Sequence, residues 1–267
     1  MTNETKKLVE EFLVKGFFNA NPKNNGIRHG YVLNDLRDNL INPKTCTLRV
    51  CELHEKISSL KSSQAFAYNL FSDVPNVEFE VKFETLKKSP APAQPDVMVT
   101  KDRVVTIYEV KAFELEHQET GHSLTGKFAD AYFDPKRYFN QTTAEHFINF
   151  IKSVQEAFKS GPAIYAEGIK QLCCHLLGIV NSLETKLKGK DVELFSLCFD
   201  NMQNLGEYKG WLEQYKKDLN VFMPIANEML DNLTGGRVKY CGYKGAIELL
   251  ATEHIGKNLD YIIKRYY

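Results

Sequence analysis

Asp96, Glu109 and Lys111 are the residues of this chain whose types and spacing best suit chemistry. They lie in QPDVMVTKDRVVTIYEVKAF, residues 94–113. Alternate side chains of a strand share a face. Val105, Ile107, Glu109, Lys111 and Phe113 therefore line one side, and Val104, Thr106, Tyr108, Val110 and Ala112 the other. Glu109 and Lys111 are neighbours toward the C-terminal end of a strand apolar enough to be central. A carboxylate and an ammonium placed there need partners or a metal to offset their desolvation. Asp96 follows Pro95 at the start of the preceding strand, and the short turn TKDR predicts an antiparallel hairpin. That hairpin carries Asp96 across to the end of the second strand. Two carboxylates and a lysine converging at a strand end suit phosphodiester hydrolysis. The carboxylates would hold Mg²⁺ together with backbone oxygens and waters. Such a metal polarises a phosphoryl oxygen and acidifies a water. The lysine orients that water or stabilises developing negative charge.

The elements that must position these residues are legible in the hydrophobic pattern. SSQAFAYNLF, 62–71, opens on a serine N-cap and predicts a short buried helix. In NVEFEVKFETLKK, Val77, Phe79, Val81 and Phe83 alternate with Glu78, Glu80, Lys82 and Glu84, which predicts a half-buried strand. The proline-rich SPAPAQP follows, then short strands over Asp96 to Thr100 and Val104 to Phe113. Residues His117 to Thr143 read as an irregular excursion. Ala144 to Lys159 and Ala163 to Leu187 read as helices, the second with a stripe of Ile169, Leu172, Cys173, Leu176 and Val180 for a sheet. VELFSLCF, 192–199, is a fourth strand. Outside this stretch, Glu4 to Phe18, Tyr31 to Leu40, Cys51 to Leu60, Gly206 to Leu233 and Ile247 to Tyr266 read as helical. Pro224 is expected to break the fourth of these, and RVKYCGY to form a last short strand. The expected architecture is a single elaborated α/β domain: a helical N-terminal extension (1–61), a core (62–200) and a helical C-terminal region (201–267).

Pro95-Asp96, twelve residues, then Glu109-Val110-Lys111 resembles the PD-(D/E)xK nuclease pattern. The order helix, three strands, helix, strand is also similar to the restriction endonuclease-like core of that superfamily, a mixed sheet flanked by helices. The resemblance covers roughly residues 62–200, and SSQAFAYNLF is similar to the leading helix of a group of predicted restriction endonucleases within the superfamily. The resemblance implies a Mg²⁺-dependent endonuclease acting on DNA in restriction or defence, with Mn²⁺ able to substitute. It gives Asp96 and Glu109 as metal ligands, joined by the carbonyl of Val110, and Lys111 as the catalytic lysine. It places Gln64 where many members carry a Glu or Gln near the metal. Lys170, Gln171 and His175 resemble positions that members turn toward the site or the DNA backbone. Relatives that cut both strands act as dimers, which implies a homodimer. The long terminal regions match nothing in the pattern, so target recognition stays open.

Competing readings stand beside these. Glu109 and Lys111 could form a structural ion pair beside a turn aspartate, or belong to a nucleic-acid-binding protein of the same fold without catalysis, or to a protein-interaction scaffold. Gln64 could simply solvate the first turn of its helix. Glu80 shares a face with Glu78, Lys82 and Glu84, and four charges on one face read as solvated. Lys170, Gln171 and His175 also fit ordinary surface or helix contacts. Arg28-His29-Gly30 follows no apolar strand and reads as a turn rather than a phosphatase motif. HQETGH, 117–122, is not HExxH, which argues against a zinc protease. Cys173-Cys174 reads as helix packing.

Composition bounds the function classes. Lys+Arg and Asp+Glu are each 34 of 267 residues, so the formal charge is zero. Binding nucleic acid by bulk charge is therefore excluded, while a local basic groove is not. Basic clusters at Lys136-Arg137, Lys186 to Lys190, Lys216-Lys217 and Arg237 to Lys244 could supply one. Six cysteines without a CxxC pair read as free thiols. No apolar stretch reaches membrane-spanning length and the N-terminus lacks an apolar signal core, so a cytoplasmic protein without membrane partners is expected.

Overall fold

A computed structural model of the chain describes residues 2–23, 27–28, 32–33, 39–41, 59–89, 91–113, 115, 127–159, 166–201, 206–252 and 258–267. In chain order the helices are α1 (Asn3–Ala20), α2 (Ser63–Phe71), α3 (Lys127–Asp130), α4 (Gln141–Ala157), α5 (Ala166–Ser182), α6 (Glu207–Asp231), α7 (Tyr243–Thr252) and α8 (Leu259–Tyr266). The strands are β1 (Ile27–Arg28), β2 (Val32–Leu33), β3 (Val77–Phe79), β4 (Val97–Lys101), β5 (Val104–Lys111), β6 (Asp191–Cys198) and β7 (Arg237–Gly242). β1 and β2 form a small antiparallel ribbon, and the other five form one mixed sheet in the order β3-β4-β5-β6-β7.

The sheet is an α/β arrangement with helices on both faces. β4 runs antiparallel to both of its neighbours, β3 and β5. β6 is parallel to β5, and β7 to β6. A parallel step needs a crossover. α3, α4 and α5 lie within the crossover from β5 to β6, and α6 within that from β6 to β7. The face bearing Ile107 and Glu109 meets α5 and α6: His175 of α5 reaches Glu109, and Tyr215 of α6 reaches Ser196, the partner of Glu109 in β6. The face bearing Tyr108 meets α2, whose Phe71 ring lies 4.7 Å from that of Tyr108. On the same side Phe66 packs against Phe199, Tyr243 and Tyr266, which ties α2 to the C-terminal helices. β5 is thus covered on both faces, and all its residues from Ile107 to Lys111 are buried.

Local chemistry accounts for several boundaries. Ser62 accepts a hydrogen bond from the Ala65 amide and so caps α2. The β4–β5 turn is two residues, with Lys101 opposite Val104 and Asp102 at φ 53°, a conformation Asp tolerates. The stripe of α5 is buried as expected, from Ile169 through Val180.

Other expectations need correction. The strand anticipated through Phe83 stops at Phe79, because Glu80 adopts φ 52° and turns the chain out of the sheet. Val81 and Phe83 are still buried, and pairing resumes only as a bridge between Phe83 and Ala93. Alternation therefore reported burial but not sheet pairing. The helix over Ala163 to Leu187 is observed as Ala166–Ser182, followed by turns to Lys190. Pro224 lies inside α6 without ending it. Leu219, Phe222, Ala226 and Met229 are buried on either side of it, and that packing holds the helix through the missing hydrogen bond. The single C-terminal helix is two: α7 follows β7 directly, and α8 starts after Asn258, whose amide donates to Ser72. Val32 and Leu33 pair with β1, and Val32 bridges Ser59, so neither pair of segments is helical there. The remainder of the expected helices at 31–40 and 51–60, apart from residues 39, 40 and 60, lies outside the described residues, as do His29, Gly30, Cys46, Cys51, His117 and His122. The excursion after β5 contains α3 and a 3₁₀ turn, Pro135–Arg137. Among the described residues Cys173, Cys174, Cys198 and Cys241 are free thiols, and no helix is long and apolar enough to cross a membrane.

Candidate active site

The hairpin register brings Asp96 to Glu109. Val97 pairs with Tyr108, so the residue before β4 faces the residue after Tyr108. Asp96 is half-buried there, and its Oδ2 accepts the amide proton of Val110 at 2.6 Å. The aspartate side chain thus extends the ladder beyond the end of β4. A residue in a strand points its N–H and C=O to the same side. The carbonyl of Val110 therefore also faces the Asp96 side, while that of Lys111 bonds the Phe199 amide on the β6 side at 2.9 Å.

Glu109 and Lys111 are only 4% and 3% exposed, so their charges must be met within the protein. Lys111 Nζ donates to Glu109 Oε1 and, at 2.7 Å, to Gln171 Oε1. His175 Nε2 lies 2.7 Å from Glu109 Oε2. Gln171 and His175 are four residues apart on α5, hence on one helix face, and that face points at the two charges of β5. An ionised carboxylate can only accept, so Nε2 of His175 donates. His175 Nδ1 is buried without a hydrogen-bond partner, which costs least as a bare lone pair and selects the Nε2–H tautomer.

The two carboxylates are driven apart in proton affinity. Burial and then the charge of Glu109 push the Asp96 carboxyl well above the ordinary range, against the opposing pull of Lys111 and the Val110 amide. Burial also raises Glu109, but Lys111 and His175 together outweigh it and hold that carboxyl low. The first proton taken up at this site therefore favours Asp96 over Glu109.

The oxygens of Asp96 and Glu109 and the carbonyl of Val110 form a hard, all-oxygen donor set of the kind Mg²⁺ takes, with waters completing the shell. Each carboxylate oxygen has a second lone pair beyond its present hydrogen bond. The raised Asp96 carboxyl reflects burial beside the charge of Glu109, a cost that a divalent cation would relieve. These observations fit a metal. Against them, among the described residues no three His, Cys, Asp or Glu side chains converge as a metal-holding group.

The other anticipated residues divide. Gln171 joins the cluster through Lys111. Gln64 Nε2 donates to Glu80 Oε1 at 3.1 Å, and Gln94 Nε2 donates to Glu80 Oε2 at 2.7 Å. Lys170 lies 3.9 Å from Glu167, one turn back on α5. Glu80 is not the member of a solvated strand face that its spacing indicates. Its backbone amide bonds the Asp96 carbonyl at 3.0 Å, and its charge adds to the rise in the Asp96 carboxyl. The left-handed turn at Glu80 makes this placement, and no periodicity in the sequence announces it. His175, anticipated with Gln171 from the resemblance, does meet Glu109, whereas Gln94 was signalled only by its nearness to Asp96.

Comparison with known proteins adds no further guide: no family model, curated protein or solved structure matches the chain.

Proposed function

We propose that this protein is a metal-dependent phosphodiesterase of the PD-(D/E)xK type that cleaves DNA, with a restriction endonuclease-like core and a role in restriction or defence. One observation carries the reading: a buried lysine and carboxylate at the end of β5 sit beside an aspartate whose side chain is tied to the same strand end. A divalent cation bound by Asp96, Glu109 and the Val110 carbonyl would supply Lewis acidity toward a phosphoryl oxygen. Lys111 orients the attacking water and balances the negative charge that grows on phosphorus. Gln171 aims the ammonium by accepting one of its protons. His175 holds the second oxygen of Glu109, so that the carboxylate cannot rotate away. Cutting both strands of a duplex would take a homodimer, one site per strand.

A second reading is favoured by the engagement of both Glu109 oxygens by Lys111 and His175 and by the absence of a three-group ligand cluster among the described residues. In it the fold binds nucleic acid and does not cut. The deciding experiment incubates a mixed panel of single-stranded, duplex and circular DNA with Mg²⁺ or Mn²⁺, comparing wild type with Lys111→Ala. Cleavage that disappears in a folded Lys111→Ala variant supports the phosphodiesterase. No cleavage of any substrate by wild type transfers the assignment to the binding protein.

A further inference from the structure

Of the four basic clusters in the sequence, three meet carboxylates. Lys186 pairs with Glu78 at 3.2 Å, Lys216 with Glu213 at 3.2 Å, and Arg237 with Asp231. The fourth does not. Lys136 and Arg137 lie on the 3₁₀ turn ahead of α4, and the loop after β3 brings Lys87 and Lys88 beside them through a bond of 2.7 Å from the Lys87 amide to the Arg137 carbonyl. Among the described residues none of these four cations is paired with a carboxylate, while Glu84 lines the groove beside Lys87 and Lys88. Phe139 is 46% exposed, with Lys87 Nζ 6.0 Å from its ring centre. A groove of about 370 Å³ runs from the loop to that ring.

Hydrogen bonds and close packing hold this loop against α5. Asn181 of α5 donates to the carbonyls of Glu84 and Thr85 at 3.0 and 2.6 Å. Gly178 lets Phe83 and Ala93 close onto α5, where a Cβ would meet Phe83 at 2.6 Å. Lys88 is held at φ 60°, a conformation costly for a residue with a side chain and typical of places where the chain is shaped for a task. An exposed aromatic ring under one lysine, with a second lysine lining the same groove and Lys136 and Arg137 on the adjoining turn, matches a base face with flanking phosphates. A duplex offers no free base face to such a ring, whereas an unpaired strand does. Asn181 and His175 are six residues apart on α5, roughly 9 Å of helix axis, so the platform flanks the Glu109 site.

We infer that Phe139, Lys87, Lys88, Lys136 and Arg137 bind an unpaired polynucleotide strand, with Phe139 stacking on a base and the cations on its phosphates. This deepens the phosphodiesterase reading and rests on it for its purpose, but binding can be measured without cleavage. The test is fluorescence anisotropy in EDTA with a labelled single-stranded 20-mer of DNA, the same 20-mer as RNA, and its DNA duplex. Wild type is expected to prefer the single strands, and the DNA and RNA arms identify which sugar is favoured. Phe139→Ala and Phe139→Leu should each weaken single-strand binding by about 5- to 100-fold, with Phe139→Tyr retaining it. Combined Lys87→Gln, Lys88→Gln and Lys136→Gln should lower the slope of log affinity against log salt by about 2. Equal affinity for duplex and single strand, or unchanged binding in Phe139→Ala, overturns the assignment. Lys111→Ala separates the two claims: it should bind as wild type does while any cleavage in Mg²⁺ is lost. If wild type binds but cuts nothing, the platform stands and the phosphodiesterase fails. If cutting persists and Phe139→Ala is neutral, the reverse holds.

Discussion

Replacing Lys111 by Met tests whether the charges of β5 depend on one another. The substitution roughly keeps the volume and removes the ammonium, leaving Glu109 buried with His175 on one oxygen only. Removing one partner of a buried pair costs about 3–5 kcal/mol when the survivor stays charged. Glu109 can escape by taking a proton, and that escape sets a ceiling. Protonating a carboxyl of ordinary pKa near 4.3 costs about 1.4 kcal/mol per pH unit, hence about 4 kcal/mol at pH 7.5 and about 1 kcal/mol at pH 5. With His175 still donating, the expected loss is ~2–4 kcal/mol at pH 7.5, shrinking to ~1 kcal/mol or less at pH 5. The sign follows from linkage. In wild type Glu109 is held below its unfolded pKa, so its contribution is complete above that value and flat from pH 5 to 7.5. In Lys111→Met its folded pKa rises above the unfolded one, and stability then falls with rising pH between the two. The raised Asp96 carboxyl makes stability fall with rising pH in both proteins, so the difference between wild type and variant at each pH isolates Glu109. The assay is urea denaturation in EDTA at both pH values, read as the midpoint at constant m-value. Glu109→Gln combined with Lys111→Met, which leaves no buried charge of the pair, should return to within about 1 kcal/mol of wild type. A loss below about 1 kcal/mol at pH 7.5, or an equal loss at both pH values, would refute the account of Glu109 as a desolvated ion held by Lys111.

Asp96→Asn keeps an acceptor for the Val110 amide and removes a carboxyl that is costly to ionise. The EDTA-treated variant should therefore melt a few degrees above wild type at neutral pH, and Mn²⁺ should no longer raise its Tm, both read by differential scanning fluorimetry. Metal binding favours the ionised form of the raised Asp96 carboxyl, so calorimetric titration of Mn²⁺ in buffers of different ionisation enthalpy should show net proton release that grows as the pH is lowered. The affinity should rise with pH until Asp96 is ionised without metal. Gly178→Ala drives a Cβ against Phe83 and Ala93 and should cost about 1–3 kcal/mol in urea, with the β3–β4 loop the first region to lose amide-exchange protection.

The residue types and their alternation already put Glu109 and Lys111 on one face, and the two-residue turn already made Asp96 their neighbour. Both are local consequences of strand geometry: a period of two and a short hairpin leave little freedom. The apolar stripe of α5, the Ser62 cap and the α/β order with a mixed sheet are local in the same sense, since periodicity and capping act within a few residues. What alternation could not determine is which buried residue pairs with which strand, so β3 ended at the left-handed Glu80 while Val81 and Phe83 were buried elsewhere. Pro224 stayed inside α6 because burial on both sides of it outweighs one lost hydrogen bond, a balance visible only once the neighbours are known. The partners of the charges were likewise decided in space. Gln171 and His175 lie 60 and 66 residues from the side chains they hold, and only the packing of α5 across β5 chose them over Lys170. Gln64 was drawn to Glu80 because the turn at Glu80 carries that carboxylate to it. The sequence thus determined the chemistry at the end of β5. Tertiary structure decided its electrostatics, because desolvation and the choice of hydrogen-bond donors depend on what covers a group, and neither can be read from its neighbours in the chain.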